Sequence, residues 1–151
     1  QKEYLDECDA IAYFTSADMD TTRGNGLMVR GHLYAYQNIP PVHREPSLGT
    51  VIREKIDYMP GILYHAVVKK SQKERIGKSN FINAVRKIGI WVQKDCIKDL
   101  YIPELSIEDK GISHTFMATC LKAYVCVHGC SVTVFCNVPD LEIKRPRSAS
   151  A

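Results

Sequence analysis

The sequence has no apolar run that approaches the roughly 20 residues needed to cross a bilayer, and no signal-peptide pattern opens it. It also lacks a strong charge of either sign, because 20 Lys and Arg residues face 17 Asp and Glu residues, for a formal net charge of +3. The first absence excludes a transmembrane helix. The second gives no indication of a nucleic-acid-binding protein from charge alone, although a small positive excess suits an anionic ligand.

C-x-x-C pairs are absent too, which argues against the commonest zinc sites and redox motifs. The chain nevertheless has six scattered cysteines: Cys8, Cys96, Cys120, Cys126, Cys130 and Cys136. One possible set of zinc ligands is Cys120, Cys126, His128 and Cys130. The spacing favours buried free thiols in a reducing compartment instead. We therefore expect no metal, no cofactor and an intracellular location, either cytoplasmic or nuclear.

The length and composition predict one domain with a sizeable core, since the chain has 151 residues and is 45% hydrophobic. Strands are predicted at 8–16, in two runs around Pro60-Gly61, at 97–105 and at 130–137, and helices at 27–37, from Ser79 and from Ser113. Strands that alternate with helices are typical of an α/β sheet with helices on its faces. The basic, small-residue tail at 139–151 is predicted to be disordered.

The stretch "TTRGNGLMVR" at 21–30 places two glycines at the mouth of a predicted helix. Glycine there costs backbone entropy, so a close approach of the backbone to a ligand is one explanation. The free N–H groups and the positive end of the helix dipole favour an anion such as phosphate. Taken alone, the loop fits an ordinary glycine turn before a helix equally well.

The order and spacing of several motifs resemble those of a macrodomain, and the match runs from about residue 9 to residue 137. The nearest branch is that of the terminal ADP-ribose protein glycohydrolases and their DNA-directed relatives. The motifs that carry the resemblance are "AIAYFTSAD", "RGNGLMV", "GTVIREKIDYMPGILYHAVVKK", "GKSNFINAVRKI", "DLYIPEL" and "VTVF". The resemblance implies a three-layer α/β/α fold with a central mixed sheet over residues 1–138, and a site for ADP-ribose.

The resemblance also implies roles for particular residues. Lys69 matches the lysine that attacks the distal ribose at C1″ and holds a covalent intermediate, and Asp109 is the nearest match to the acid that works with it. A lysine attacks only as the free amine. The implied ligand-binding residues are Ser16, Asp18, Gly24, Asn25, Gly26 and Leu27. Without the resemblance, the run "KKSQKER" that starts at Lys69 fits a solvated basic turn.

Two departures from the family pattern put this activity in question. The family has a glycine-rich loop that ends in the acid, but here the loop reads "PELSIEDKGI", with Lys110 at the expected position and Gly111 as its one glycine. No Gly-Asp pair that would read adenine precedes Cys8, and Asp6 is a poor substitute. Either the first strand is missing from the chain or adenine recognition has been lost.

These observations leave two functions open. In the first, an ADP-ribose-binding macrodomain removes ADP-ribose from a protein or nucleic-acid acceptor through Lys69 and Asp109. In the second, a catalytically inactive module keeps the fold for protein or nucleic-acid interaction. For both we expect a monomer that does not associate with membranes.

Overall fold

A computed structural model describes residues 8–32, 44–57, 60–107 and 109–135. Within these residues the strands are β1 (Ala10–Ser16), β2 (Val51–Lys55), β3 (Ile62–Lys69), β4 (Asp99–Pro103) and β5 (Ser131–Phe135). They form one sheet in the order β2-β3-β1-β4-β5. Strand β2 is antiparallel to β3, and the other neighbours are parallel. The predicted mixed sheet is therefore confirmed.

The helices are α1 (Gly24–His32), α2 (Lys78–Lys94) and α3 (His114–Tyr124), and a short 3₁₀ helix follows at Cys126–His128. Helices α2 and α3 pack on one face of the sheet, and α1 packs on the other face against β1 and β4. This arrangement is the three-layer α/β/α architecture that the resemblance implied. No helix in the described part of the chain combines the length and the hydropathy that a membrane span requires.

Central strand β1 lies between two parallel neighbours, and all seven of its residues are buried. Its side chains alternate between the faces, as a strand requires. Ala10, Ala12 and Phe14 join the core beneath α2 and α3, whereas Ile11 and Tyr13 join the smaller core on the α1 side. Burial on both faces explains why this strand is a continuous run of small and apolar residues.

The apolar face of helix α2 packs into the core. The four residues that predicted the helix are all buried: Phe81, Val85, Ile88 and Val92. The prediction that Ser79 caps this helix is wrong, because α2 begins at Lys78 and the extended residue before it is Gly77. Ser113 does cap α3, since its Oγ accepts a hydrogen bond of 3.0 Å from the Phe116 backbone N–H.

Other helix and strand boundaries differ by a few residues from the predicted ones. Helix α1 starts at Gly24, three residues before the predicted position 27, and the predicted part at 33–37 lies outside the described residues. Asp6, Cys136 and the tail at 139–151 also lie outside them. The turn at Pro60-Gly61 connects two antiparallel strands as predicted, and the Ile56 N–H donates to the Gly61 carbonyl.

The cysteines differ partly from the prediction of buried thiols. Cys8, Cys120 and Cys130 are buried free thiols, and burial raises the pKa of each. Cys96 is exposed and Cys126 is half-buried, because they lie in the turn after α2 and at the start of the 3₁₀ helix. Those two positions were expected to be buried, and that expectation is wrong.

Helices α2 and α3 approach each other closely at Gly89. A Cβ at this position would lie 2.0 Å from the Tyr124 carbonyl oxygen, which is far inside van der Waals contact. Glycine therefore allows the backbone of α2 to approach the last turn of α3. A side chain could fit only if the two helices moved apart.

We expect Gly89→Ala to destabilise the protein, although alanine favours an isolated helix by about 1 kcal/mol. Overpacking of a core typically costs about 1–3 kcal/mol, and here the obstacle is backbone. Thermal unfolding followed by circular dichroism should show a melting temperature lowered by several degrees. Lys87→Ala, at an exposed position on the same helix, is the control, because a Cβ is already present there and no packed neighbour is displaced. An unchanged melting temperature for Gly89→Ala would contradict this account.

Candidate functional site

Three loops meet at one edge of the sheet because β1, β3 and β4 run parallel and end there. The loops follow Ser16, Lys69 and Pro103. Backbone hydrogen bonds join them: Ala17 N–H donates to the Lys69 carbonyl at 2.8 Å, and Ile76 N–H donates to the Lys110 carbonyl at 2.7 Å. The carboxyl edge of such a sheet is where ligands of α/β proteins bind.

Lys69 and Asp109 come together at this edge. Lys69 Nζ lies 3.5 Å from Asp109 Oδ1, and neither side chain has any exposed surface. Lys69 Nζ also donates to the Gln72 carbonyl oxygen at 3.3 Å. The other carboxylate oxygen, Asp109 Oδ2, accepts hydrogen bonds from Ser106 N–H at 2.9 Å and from Ser106 Oγ at 2.8 Å. The displaced acid of the sequence thus lies beside the lysine.

Gly111 allows the loop after β4 to reach that position. It has φ of +105°, and a Cβ there would lie 2.4 Å from the Ile76 carbonyl oxygen and 3.0 Å from the Ile76 nitrogen. The loops after β3 and β4 therefore pack backbone against backbone. The single glycine left in "PELSIEDKGI" permits the contact that holds Asp109 against Lys69.

The start of α1 faces the same pair. Gly24 has φ of +63°, and a Cβ there would lie 2.6 Å from Gln72 Oε1 and 3.3 Å from Asp109 Oδ1. The first backbone N–H groups of any α-helix lack partners within the helix, and they carry the positive end of the dipole. The helix mouth predicted from "RGNG" is therefore next to Lys69 and Asp109.

The Asn25 side chain lies inside the fold, because it is fully buried and bonded to two strands. Its Oδ1 accepts from the Phe14 N–H at 2.9 Å, and its Nδ2 donates to the Glu104 carbonyl at 2.9 Å. These bonds tie the start of α1 to β1 and to the end of β4. The resemblance implied that Asn25 contacts the ligand through its backbone N–H, and that stays a prediction; its carboxamide anchors the same loop.

The remaining residues of the predicted ligand set have mixed surroundings. Gly26 packs on Thr21, whose nearest atoms would lie 3.0–3.1 Å from a Cβ. Leu27 is half-exposed on α1. Ser16 is fully buried and its Oγ donates to Asp18 Oδ1 at 2.5 Å, while Asp18 itself is exposed. The predicted set therefore includes buried loop supports as well as positions open to solvent.

Sequence reasoning missed Gln72, which links the loops. Gln72 is only 4% exposed, and its Nε2 donates to Ser16 Oγ at 2.9 Å and to the Asp20 carbonyl at 3.4 Å. Within the charged run "KKSQKER" it is the one long neutral side chain, three residues after Lys69. That position in an irregular loop has no periodicity that would have indicated burial.

The surface of the loop after β3 is positive. Lys70, Lys73 and Arg75 are exposed there, against Glu74. Lys70 lies just beyond the end of β3 and, unlike Lys69, faces solvent. Three exposed cations against one acid suit an anionic ligand at this edge of the sheet.

The described residues form no metal site, and a second cleft lies away from this edge of the sheet. Across the described ranges, no three His, Cys, Asp or Glu side chains are grouped so that they could hold a metal ion. A cleft of about 470 Å³ lies between α2, α3 and the 3₁₀ helix, and its lining includes Arg86, Lys87 and His128. It contains none of the residues that the sequence singled out for ligand binding or catalysis.

Comparisons with solved structures identify the fold. The Thermus aquaticus DarG macrodomain superposes with a TM-score of 0.62 at 12% identity, over 85% of this chain and 89% of that one. The Mycobacterium tuberculosis DarG macrodomain gives 0.62 at 8% identity, over 84% and 88%. Thermosipho africanus DarTG, in complex with ADP-ribose, gives 0.67 at 13% identity, over 95% of this chain and 40% of that longer chain.

This chain has the macrodomain fold. No protein-family model matches the sequence, and no curated protein does. Because the structural identities are 8–13%, the macrodomain likeness rests on the arrangement of the elements and not on residue identity. The sequence motifs had predicted this fold, and that prediction is confirmed.

We expect Asn25→Ala to destabilise the macrodomain by about 2–3 kcal/mol, because it leaves the buried Phe14 N–H without its acceptor. Urea unfolding followed by fluorescence measures the change in the free energy of unfolding. Asn83→Ala, at an exposed position on α2, is the control and should stay within about 0.5 kcal/mol of the starting protein. Equal effects of the two substitutions would refute an anchoring role for Asn25.

Proposed function

We propose that this macrodomain binds ADP-ribose at the carboxyl edge of its sheet. One observation carries the proposal: a lysine, an acid and the start of a helix meet at that edge, in a fold for which the Thermosipho africanus neighbour is described in complex with ADP-ribose. The first N–H groups of α1 suit the diphosphate. The exposed cations of the loop after β3 add a favourable field for the same anion.

We further propose that the chain removes ADP-ribose from a protein or nucleic-acid acceptor. Lys69 Nζ, as the free amine, attacks C1″ of the distal ribose; the new N–C1″ bond forms as the bond from C1″ to the acceptor breaks. The acceptor leaves with the electron pair and takes up a proton. Water then attacks C1″, releases ADP-ribose and restores the amine.

Asp109 is suited to the proton transfers that these steps need. Its Oδ1 lies 3.5 Å from Lys69 Nζ, and the two hydrogen bonds from Ser106 to Oδ2 fix the orientation of the carboxylate. It can take a proton from the Lys69 ammonium, which frees the amine for attack, and then give that proton to the leaving acceptor. Its displacement by one position in the sequence is offset by the shape of the loop that Gly111 permits.

A specific observation also favours the second candidate function, an inactive macrodomain module. Lys69 and Asp109 have no exposed side-chain surface, and the Gln72 side chain packs over Gly24 beside them. An amine buried in this way reaches C1″ only if the loop after β3 moves. A module that stays closed would keep the fold, and its interactions with proteins or nucleic acids, without hydrolysis.

Isothermal titration with ADP-ribose, together with a hydrolysis assay on ADP-ribosylated protein and ADP-ribosylated DNA, tests both candidates. We expect binding, and turnover of at least one acceptor. Turnover with a reductant present should attach ADP-ribose to Lys69, detected by mass spectrometry, if the intermediate opens to an imine. Binding without turnover would establish the inactive module, and absence of binding would overturn the proposal.

We expect Lys69→Met to remove turnover by several orders of magnitude while ADP-ribose affinity stays within about tenfold, since the nucleophile is lost and the helix mouth is kept. A buried Asp109 without its cation costs about 3–5 kcal/mol, so folding must be checked. The control Lys69→Gln with Asp109→Asn removes both charges together and should unfold at a higher temperature than Lys69→Met. Turnover that survives Lys69→Met would reject this nucleophile.

A further inference from the structure

Two buried acceptors beside Gly24 receive no hydrogen bond from any residue that the structure describes. They are Gln72 Oε1 and Asp109 Oδ1. Both lie on the same side of Gly24, since a Cβ there would be 2.6 Å and 3.3 Å from them, and they are therefore close to each other. Among the described residues, Gln72 Oε1 has no partner, and Asp109 Oδ1 has only the ion pair with Lys69 Nζ at 3.5 Å. Buried polar atoms are nearly always hydrogen-bonded in folded proteins, so two neighbouring acceptors without a hydrogen bond point to a ligand that brings donors.

The other polar atoms of both side chains are hydrogen-bonded, which fixes the direction of Gln72 Oε1 and Asp109 Oδ1. Gln72 Nε2 donates to Ser16 Oγ at 2.9 Å, so its amide is oriented with Oε1 towards Gly24. Asp109 Oδ2 is occupied by the two Ser106 donors, which leaves Oδ1 towards Lys69 and Gly24. The arrangement is therefore held by bonds on the far side of each group.

We infer that Gln72 is a specificity-determining residue that, with Asp109, accepts hydrogen bonds from a pair of neighbouring hydroxyl groups on the ligand. The inference rests on the proposed function, and it assigns the hydroxyls to the distal ribose, whose C1″ must lie near Lys69. A diphosphate is excluded from this point, because it offers acceptors to acceptors and would meet the Asp109 carboxylate with like charge. The vicinal hydroxyls of a ribose offer two donors close together.

Entry of the ribose requires the loop after β3 to lift, because Gln72 is 4% exposed and both partners of the ion pair are fully buried. The bonds from Gln72 Nε2 to Ser16 Oγ and to the Asp20 carbonyl would open and then close again. When the loop closes, the ribose hydroxyls donate hydrogen bonds to Gln72 Oε1 and Asp109 Oδ1. Closure around the sugar also excludes water from the reacting carbon until the acceptor has left.

Titration of two ligands into Gln72→Met tests this inference. Methionine keeps the length of the side chain but cannot accept a hydrogen bond in the place of Oε1. We expect the affinity for ADP-ribose to fall by about tenfold and the affinity for ADP, which lacks the distal ribose, to change by less than about twofold. Glu74→Gln, at an exposed position on the same loop, is the control: removal of its charge affects both anions alike, so the ratio of the affinity for ADP-ribose to that for ADP should not change.

The outcomes separate this inference from the proposed function. Unchanged or tighter binding of ADP-ribose by Gln72→Met, or an equal loss for ADP and ADP-ribose, would overturn the role of Gln72 and leave the proposed function standing. If the starting protein binds no ADP-ribose, ribose 5-phosphate is titrated into it and into Gln72→Met. Binding that depends on Gln72 would then support the hydroxyl site without the proposed function, and no binding would overturn both.

Discussion

A buried ion pair is the constraint on which the edge of this sheet depends. Lys69 and Asp109 have no exposed side-chain surface, and burial of two charges is unfavourable unless their geometry and hydrogen bonds compensate. The compensation comes from the loops: Ser106 donates twice to the carboxylate, and the Gln72 carbonyl accepts from the ammonium. Without these bonds, the loops after β3 and β4 would hold two charges away from water with only each other as partners.

The glycines at this edge follow from the same constraint. Gly111 brings the backbone of the loop after β4 against Ile76, and Gly24 brings the start of α1 against Gln72 and Asp109. A side chain at either position would occupy space that is taken by another loop. Asn25 then fixes α1 in place through the Phe14 N–H and the Glu104 carbonyl. The glycines of "RGNG" thus serve close packing of the protein on itself.

This packing gives the site its chemical character. Lys69 and Asp109 are shielded from water, and the positive end of the α1 dipole lies beside them. The surface of the loop after β3 is basic. Coulomb interactions are stronger where water is excluded, so a reaction that forms and moves charge at C1″ would be sensitive to these groups. For the proposed function, the same exclusion of water makes access the limiting feature, since the loop that carries Gln72 covers Lys69 and Asp109.

The sequence by itself determined the fold class, most of the elements and the pairing of Lys69 with Asp109 as candidates. Apolar periodicity predicted α2, Ser113 marked the start of α3, and the order of motifs indicated the macrodomain, because these signals are local or linear in the chain. Ser79 failed as a cap, and nothing in the sequence indicated that the Asn25 side chain anchors α1, since a side chain's partner depends on what lies across space. Only the tertiary structure decided that Gln72 bridges two loops and that Gly111 lets Asp109 reach Lys69. Those contacts join residues from separate loops, and no spacing in the sequence encodes their distance.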